Sequence, residues 1–417
     1  MTAPIRRDFL ATLLGASVGG AFVGSADGPV AAAADFVLPP AVEADLGSLF
    51  PDVAALVSDA EFEQSFLQPR FADWAAYRDE ARRFVLDAFT YRPAAVEPAA
   101  EIVARVDLGG YVREKLIFST APGLRVPAYL LVPKGLKGPA PAIVDLHSHG
   151  GMFLFGKEKV VDLGENHATM TGYHERNYEG RPTATFWANR GYVVISIDAL
   201  MFGERRVLLP ADEAKFGRER QKYSEADVAT LNGVCRSKES TIVKGLTLAG
   251  ATWPGVVTWD DLRTVDYLQT RPEVDATRIG CVGVSFGGHR SLYLAGLDDR
   301  IRAACVVGFM STVRPMIRRH LDTHSFVHFV PHLHRRLDLP DVVALAAPRA
   351  LLVQQCEQDR LFPHEGMTDA VRKIAAIYDK VGCREQFTGR FYDVPHRFDR
   401  AMQDDAAAFF DRHLKPA

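Results

Sequence analysis

The chain has 417 residues, 47% of them hydrophobic and 24% charged, with a formal net charge of -3. That is enough apolar material for one large core or two modest ones, and it excludes a disordered or fibrous chain. Acidic and basic residues are interleaved, which excludes a basic stripe for nucleic acid and a polybasic membrane patch.

The first segment carries Arg6 and Arg7 ahead of Phe9 and Leu10, a weakly apolar stretch over residues 11–23, and a small-residue run ending at Ala34. It resembles a twin-arginine export signal, so residues 1–34 are read as a processed leader and the mature protein is expected in the periplasm or outside the cell. Stable membrane insertion is not expected, because the apolar run is short and rich in Gly and Ala. Residues 35–100 are read as an N-terminal helical layer. Within it Phe71, Trp74, Tyr77, Ala81, Phe84, Val85 and Ala88 recur at helical spacing, and Pro93 halts the run. Three alternating runs follow at 101–107, 112–118 and 126–132, separated by Gly109-Gly110 and by Ala121-Pro-Gly123. They predict strands joined by tight turns at the antiparallel edge of a sheet.

From Pro141 onward strand and helix alternate. Buried strands are predicted at 142–146 and 192–198, with a short helix at 186–190 between them. Thr258, Asp260 and Asp261 read as the cap and first-turn acids of a helix that buries Leu262, Val265 and Leu268 and ends at Arg271-Pro272. A strand at 279–284 runs into a helix at 287–296, and strands follow at 301–308 and 350–355. A helix over 365–381 presents Val371, Ile374, Ile377 and Val381 on one face; the last strand is 387–394, and Phe398, Met402, Phe409 and Leu414 mark a closing helix. Such repeated units predict an α/β domain over 101–417, with a mostly parallel central sheet flanked by helices. Residues 201–255 and 309–345 are too long for plain connections and are read as cap-like insertions over the strand ends. The five cysteines, Cys235, Cys281, Cys305, Cys356 and Cys383, are odd in number and lack a C-x-x-C pair, so they read as structural thiols.

The chemistry centres on Ser285, flanked by Gly283 and Gly287. A buried strand that reverses into a helix within about two residues strains the serine backbone and leaves no room for side chains on either flank. The hydroxyl then projects at a helix N-terminus, where the N–H of Phe286 is a candidate donor to a developing oxyanion. A serine nucleophile needs a histidine base, and that base needs an acid to hold its other nitrogen. His396 follows the last strand and Asp359 follows the strand at 350–355. Glu357 is the rival acid but stands closer to its strand. A second oxyanion donor is expected from His149 or Gly150, in the loop after the strand at 142–146.

Several segments together resemble one family: Leu146-His-Ser-His-Gly-Gly151 with Gly156-Lys-Glu-Lys159, Ser196 through Arg205, Trp259-Asp260, Gly283-Val-Ser-Phe-Gly287, and Ala347-Pro-Arg-Ala-Leu-Leu352. They look like the acetyl xylan esterase and dienelactone hydrolase-like branch of the α/β-hydrolases. The resemblance runs from about Phe71 to the C-terminus and implies that fold, the order Ser285, Asp359, His396, and a small acyl ester, on a carbohydrate or another alcohol, as substrate. The chain departs from dienelactone hydrolases in its serine nucleophile, and it has Cys356 and Ser148 where the family often has glycine. A prolyl oligopeptidase-like peptidase shares the catalytic order but generally carries a large propeller that this chain has no room for. A catalytically silent binding protein on the same scaffold is the reading from another class. No cofactor is expected. His320, His324, His328, His332 and His334 suggest a metal at helical spacing, yet Pro331 interrupts the register and arginines crowd in, so they read as a cap surface facing substrate or solvent.

Overall fold

The computed structural model describes residues 38–58 and 62–415; the leader expected at 1–34 lies outside them. Nine strands build one sheet: β1 (Glu101–Asp107), β2 (Tyr111–Ala121), β3 (Leu124–Pro133), β4 (Ala140–Asp145), β5 (Val193–Ile197), β6 (Val274–Val284), β7 (Ile301–Val307), β8 (Ala350–Cys356) and β9 (Phe387–Tyr392). Their spatial order is β1-β2-β3-β5-β4-β6-β7-β8-β9. The first three strands pair antiparallel, as does β3 with β5, and from β5 to β9 every pair is parallel. β-branched and small residues, buried on both faces, let the parallel strands sit between two helical layers.

The helices are α1 (Phe50–Ser58), α2 (Trp74–Ala88), α3 (Ala168–Tyr178), α4 (Thr183–Asn189), α5 (Pro210–Phe216), α6 (Glu225–Leu248), α7 (Trp253–Gln269), α8 (Phe286–Leu297), α9 (Val313–Arg318), α10 (Leu339–Ala344), α11 (His364–Val381) and α12 (Arg400–Leu414). Successive residues of a strand face opposite cores: Ala142 and Val144 pack with residues of α2, α8 and α11, while Ile143 packs with residues of α3, α4 and α12. In the N-terminal layer Tyr77, Ala81, Val85 and Ala88 of α2 are buried, and Asp73 caps the helix by accepting from the Ala76 N–H at 3.1 Å.

One predicted helix start is corrected. Helix α7 begins at Trp253, with Thr252 accepting from the Gly255 N–H at 3.2 Å and Pro254 in the first turn. Thr258, Asp260 and Asp261 therefore lie mid-helix and buried. The acids are held by side-chain partners instead of helix-end N–H groups: Asp260 pairs with Arg205 at 2.7 Å, and Asp261 takes both guanidinium arms of Arg290 at 3.0 and 2.6 Å. All five cysteines are free and buried. No helix among the described residues is long and apolar enough to cross a membrane.

Candidate active site

Strand order reverses around β4, so the chain leaves β4 and the neighbouring β6 in diverging directions and opens a crevice at their carboxyl ends. Ser285, the loop at 147–151, Asp359 and His396 all follow strands at that end of the sheet. Ser285 has φ 61° and ψ -122°, a conformation sparsely populated by non-glycine residues. Its neighbours cannot carry side chains. A Cβ on Gly287 would collide with the Leu146 carbonyl oxygen, and one on Gly283 would come within 2.7 Å of the Gly287 Cα. The Ser285 side chain does not cap α8. The serine N–H donates to the Val307 carbonyl at 2.9 Å, which ties the turn to the adjacent strand.

His396 Nδ1–H donates to Asp359 Oδ2 at 2.6 Å, and the other carboxylate oxygen accepts from the Leu361 N–H at 2.8 Å. The Asp359 side chain is fully buried, whereas Glu357 is exposed. A turn closed by the Asp359 N–H on the Cys356 carbonyl separates the two. With Nδ1 protonated, His396 Nε2 carries the lone pair a base requires. Among the described residues that nitrogen is buried without a hydrogen-bond partner, and His396 lines the same cavity as Ser285. Gly308 lies against the ring and has φ +55°, a left-handed conformation that favours glycine.

The loop after β4 supplies the facing wall. His149 and Gly150 line the cavity with Ser285, and among the described residues the N–H groups of Phe286, His149 and Gly150 have no hydrogen-bond acceptor. The His149 ring is fixed from both sides: its Nδ1 accepts from the Gly151 N–H at 3.1 Å, so Nε2–H donates to Glu239 of α6 at 3.1 Å. Burial pulls the His149 pKa down, which favours this neutral tautomer. Glu239 also accepts from Ser325 at 3.0 Å, joining the first insertion to the second over the site. The cavity encloses about 840 Å³. Phe309, Phe326, Phe329 and Phe362 give it an aromatic wall, with Arg236 and Asn177 as polar groups.

The histidines of the second insertion do not share a helix. His320 and His332 take left-handed conformations, and only short 3-10 turns at Phe326–His328 and Leu333–Arg335 lie between and after them. The His328 ring lies 4.8 Å from His289 and edge-on to it, and 4.8 Å from a tilted Phe309, and His324 lies 4.8 Å from Phe362. His324 and His328 border the cavity. Burial depresses both imidazoles, His328 more strongly. Among the described residues the one carboxylate and imidazole group close enough to hold a cation is Glu158, Asp198 and Glu204. There the Lys157 ammonium already sits 3.3, 2.6 and 2.7 Å from the three. Burial alone would depress Lys157, but the three carboxylates raise it above its ordinary value.

Sequence reasoning assigned no role to Lys159 beyond its place in the Gly156-Lys-Glu-Lys159 segment, and did not single out Glu239. Lys159 is fully buried and donates to the carbonyls of Ser148 and His149 at 2.7 and 2.9 Å. The signal was its placement: a Lys-Glu-Lys triplet between Phe155 and Val160, inside an apolar run.

A protein-family model described as an abhydrolase family matches residues 52–403. The Bacillus subtilis (strain 168) protein YtaP, provisionally named a hydrolase, is 28% identical over 291 residues, which is 70% of this chain and 84% of that one. Among solved structures, a Bacteroides fragilis NCTC 9343 protein provisionally described as an acetyl xylan esterase matches with TM-score 0.62 and 19% identity, covering 85% of each chain. A glucuronoyl esterase from Solibacter usitatus matches with TM-score 0.58 and 14% identity, covering 84% of this chain and 96% of that one. At such identities these likenesses are of fold.

Proposed function

The chain belongs to the abhydrolase family, and from that premise we propose that it is a serine carboxylic-ester hydrolase working through an acyl-enzyme. The observation that carries this reading is the Asp359–His396 hydrogen bond of 2.6 Å, with His396 and Ser285 lining one cavity.

His396 Nε2 takes the Ser285 hydroxyl proton as the oxygen attacks the ester carbonyl. The N–H of Phe286 and an N–H of His149 or Gly150 stabilise the resulting oxyanion. Collapse of the tetrahedral species expels the alcohol oxygen, which takes the proton from His396 and leaves an acyl group on Ser285. Water then repeats the sequence with His396 as base and releases the acid. No step calls for a cofactor. Aromatic walls beside Arg236 and Asn177 suit a small acyl group on a polyhydroxylated alcohol, an acetyl-type ester of a carbohydrate being the leading case. Of the fold neighbours, the Bacteroides fragilis protein is described for an ester of that kind and the Solibacter usitatus protein for a glucuronoyl ester. Residues 1–34 are proposed to direct export, so Arg6→Lys with Arg7→Lys should abolish it in a fractionated host.

Steady-state turnover of nitrophenyl acetate against a proline-containing nitroanilide tests the reading. Ester cleavage without amide cleavage supports it; preferential amide cleavage would make the protein a peptidase, and silence towards both a panel of esters and the amide would make it a binding protein.

A further inference from the structure

We infer that Lys159 is a positioning residue for the oxyanion site, its amine pinning from behind the two peptide groups whose N–H donors face the reacting carbonyl. This inference rests on the serine-esterase reading.

The amine donates to the Ser148 carbonyl at 2.7 Å and to the His149 carbonyl at 2.9 Å. In a trans peptide the C=O and the following N–H point in opposite directions. Two carbonyls drawn to one amine therefore turn the N–H groups of His149 and Gly150 away from it. Ser148, His149 and Gly150 line the cavity with Ser285, and Lys159 does not, so the side opposite the amine is the cavity side. Both carbonyls have a further donor. His147 Nδ1–H bonds the Ser148 oxygen at 3.0 Å, its tautomer set by the Ala199 N–H donated to Nε2 at 3.2 Å, and the Met152 N–H bonds the His149 oxygen at 3.1 Å.

Two contrasts argue against a purely architectural lysine. Lys157, two residues earlier, is neutralised by three carboxylates, whereas among the described residues no carboxylate pairs with the equally buried Lys159. Its amine lies instead 4.6 Å from the Phe202 ring and 5.8 Å from the Tyr173 ring. A buried amine with no carboxylate in contact is costly, burial depressing it by more than the non-contacting Asp198 and Glu158 raise it, and a methionine would fill the same space without that cost. What methionine cannot do is hold two carbonyls. The Tyr173 hydroxyl, 2.6 Å from Ser148 Oγ, and Gly150, where a Cβ would strike that hydroxyl, close the loop from the remaining side.

Lys159→Met, which keeps length and apolar contact but removes every donor, is compared with wild type in three measurements. For nitrophenyl acetate, kcat should fall by roughly 10- to 100-fold with KM within about 3-fold, somewhat less than the loss of an oxyanion donor itself. The inhibition constant of a phenylboronic acid, whose tetrahedral adduct on Ser285 occupies the oxyanion site, should rise by the same factor as kcat. Binding of the uncleaved substrate analogue nitroacetanilide should change by less than about 3-fold. Lys159→Gln, with one donating arm, should recover part of both kcat and boronate affinity. A folded Lys159→Met, or if that variant does not fold a folded Lys159→Gln, with wild-type boronate affinity would overturn the assignment. So would parallel losses in boronate and anilide binding, and failure of both variants to fold would make Lys159 a folding residue instead. If wild type itself neither turns over esters nor binds the boronate, it is the esterase reading that fails.

Discussion

Two neighbouring acids separate at the level of single residues. Asp359 is buried on the imidazole and Glu357 is exposed, so Asp359→Asn should lower kcat on the order of 10³- to 10⁴-fold, because an amide cannot hold the required tautomer. Glu357→Gln should stay within about 2-fold, and a nitrophenyl ester assay of both variants checks the pair. At the turn itself, Gly287→Ala forces a methyl onto the Leu146 carbonyl. Since backbone must move, the variant should lose about 3 kcal/mol or more by urea denaturation. That Ser285, Asp359 and His396 would gather at one end of the sheet was legible because residue type and position after a strand both pointed one way. Lys159 was not: a lysine reads as surface, and only the tertiary placement of the Ser148 and His149 carbonyls gives it partners.

Among the elements, the short turn carrying Lys157 and Lys159 depends on Asp198 at the end of β5. Asp198 accepts from the Lys157 N–H at 2.9 Å, the Lys157 ammonium at 2.6 Å and the Glu204 N–H at 2.9 Å. Asp198→Asn removes the central charge of a buried network and should cost about 3–5 kcal/mol of unfolding free energy, with ester turnover falling as the turn loosens. Denaturation and steady-state rates on the same preparation measure both. The strands and the sheet-flanking helices α2, α4, α8, α11 and α12 were legible from periodicity; the start of α7 was not, nor was α6 inside the first insertion. Thr258 with two following acids looks like a helix cap, but Asp260 and Asp261 serve Arg205 and Arg290, partners far away in sequence. In the histidine segment Pro331 already argued against one continuous helix, and the left-handed residues His320 and His332 break it further.

For the whole molecule, alternating strands and helices were enough to read a parallel sheet with an antiparallel edge, whereas the bridge between the two insertions through Glu239 depends on contacts that sequence spacing does not encode. Buried imidazoles set the acid response. Burial holds His289 at about 3 and His334 at about 4, against 6.5 when free, so between those limits the folded state binds fewer protons than the unfolded one. Stability should therefore rise with pH through that window and be lost on acidification below about 6.5, by up to ~1.4 kcal/mol per pH unit for each group. Asp145 and Asp338, raised by burial to about 7, oppose this over an overlapping range, but the depressed histidines, His147 and His328 among them, outnumber them. Among the described residues neither ring nitrogen of His289 has a hydrogen-bond partner, so His289→Phe should flatten the acid limb in urea titrations at pH 4 to 7. The central claim is that Ser285 is the nucleophile, and the most direct measurement is peptide mass mapping after reaction with a fluorophosphonate. The expected result is one stoichiometric adduct on Ser285, absent from Ser285→Ala and accompanied by complete loss of ester turnover. An unlabelled, active protein, or an adduct on another residue that tracks the loss of activity, would contradict it.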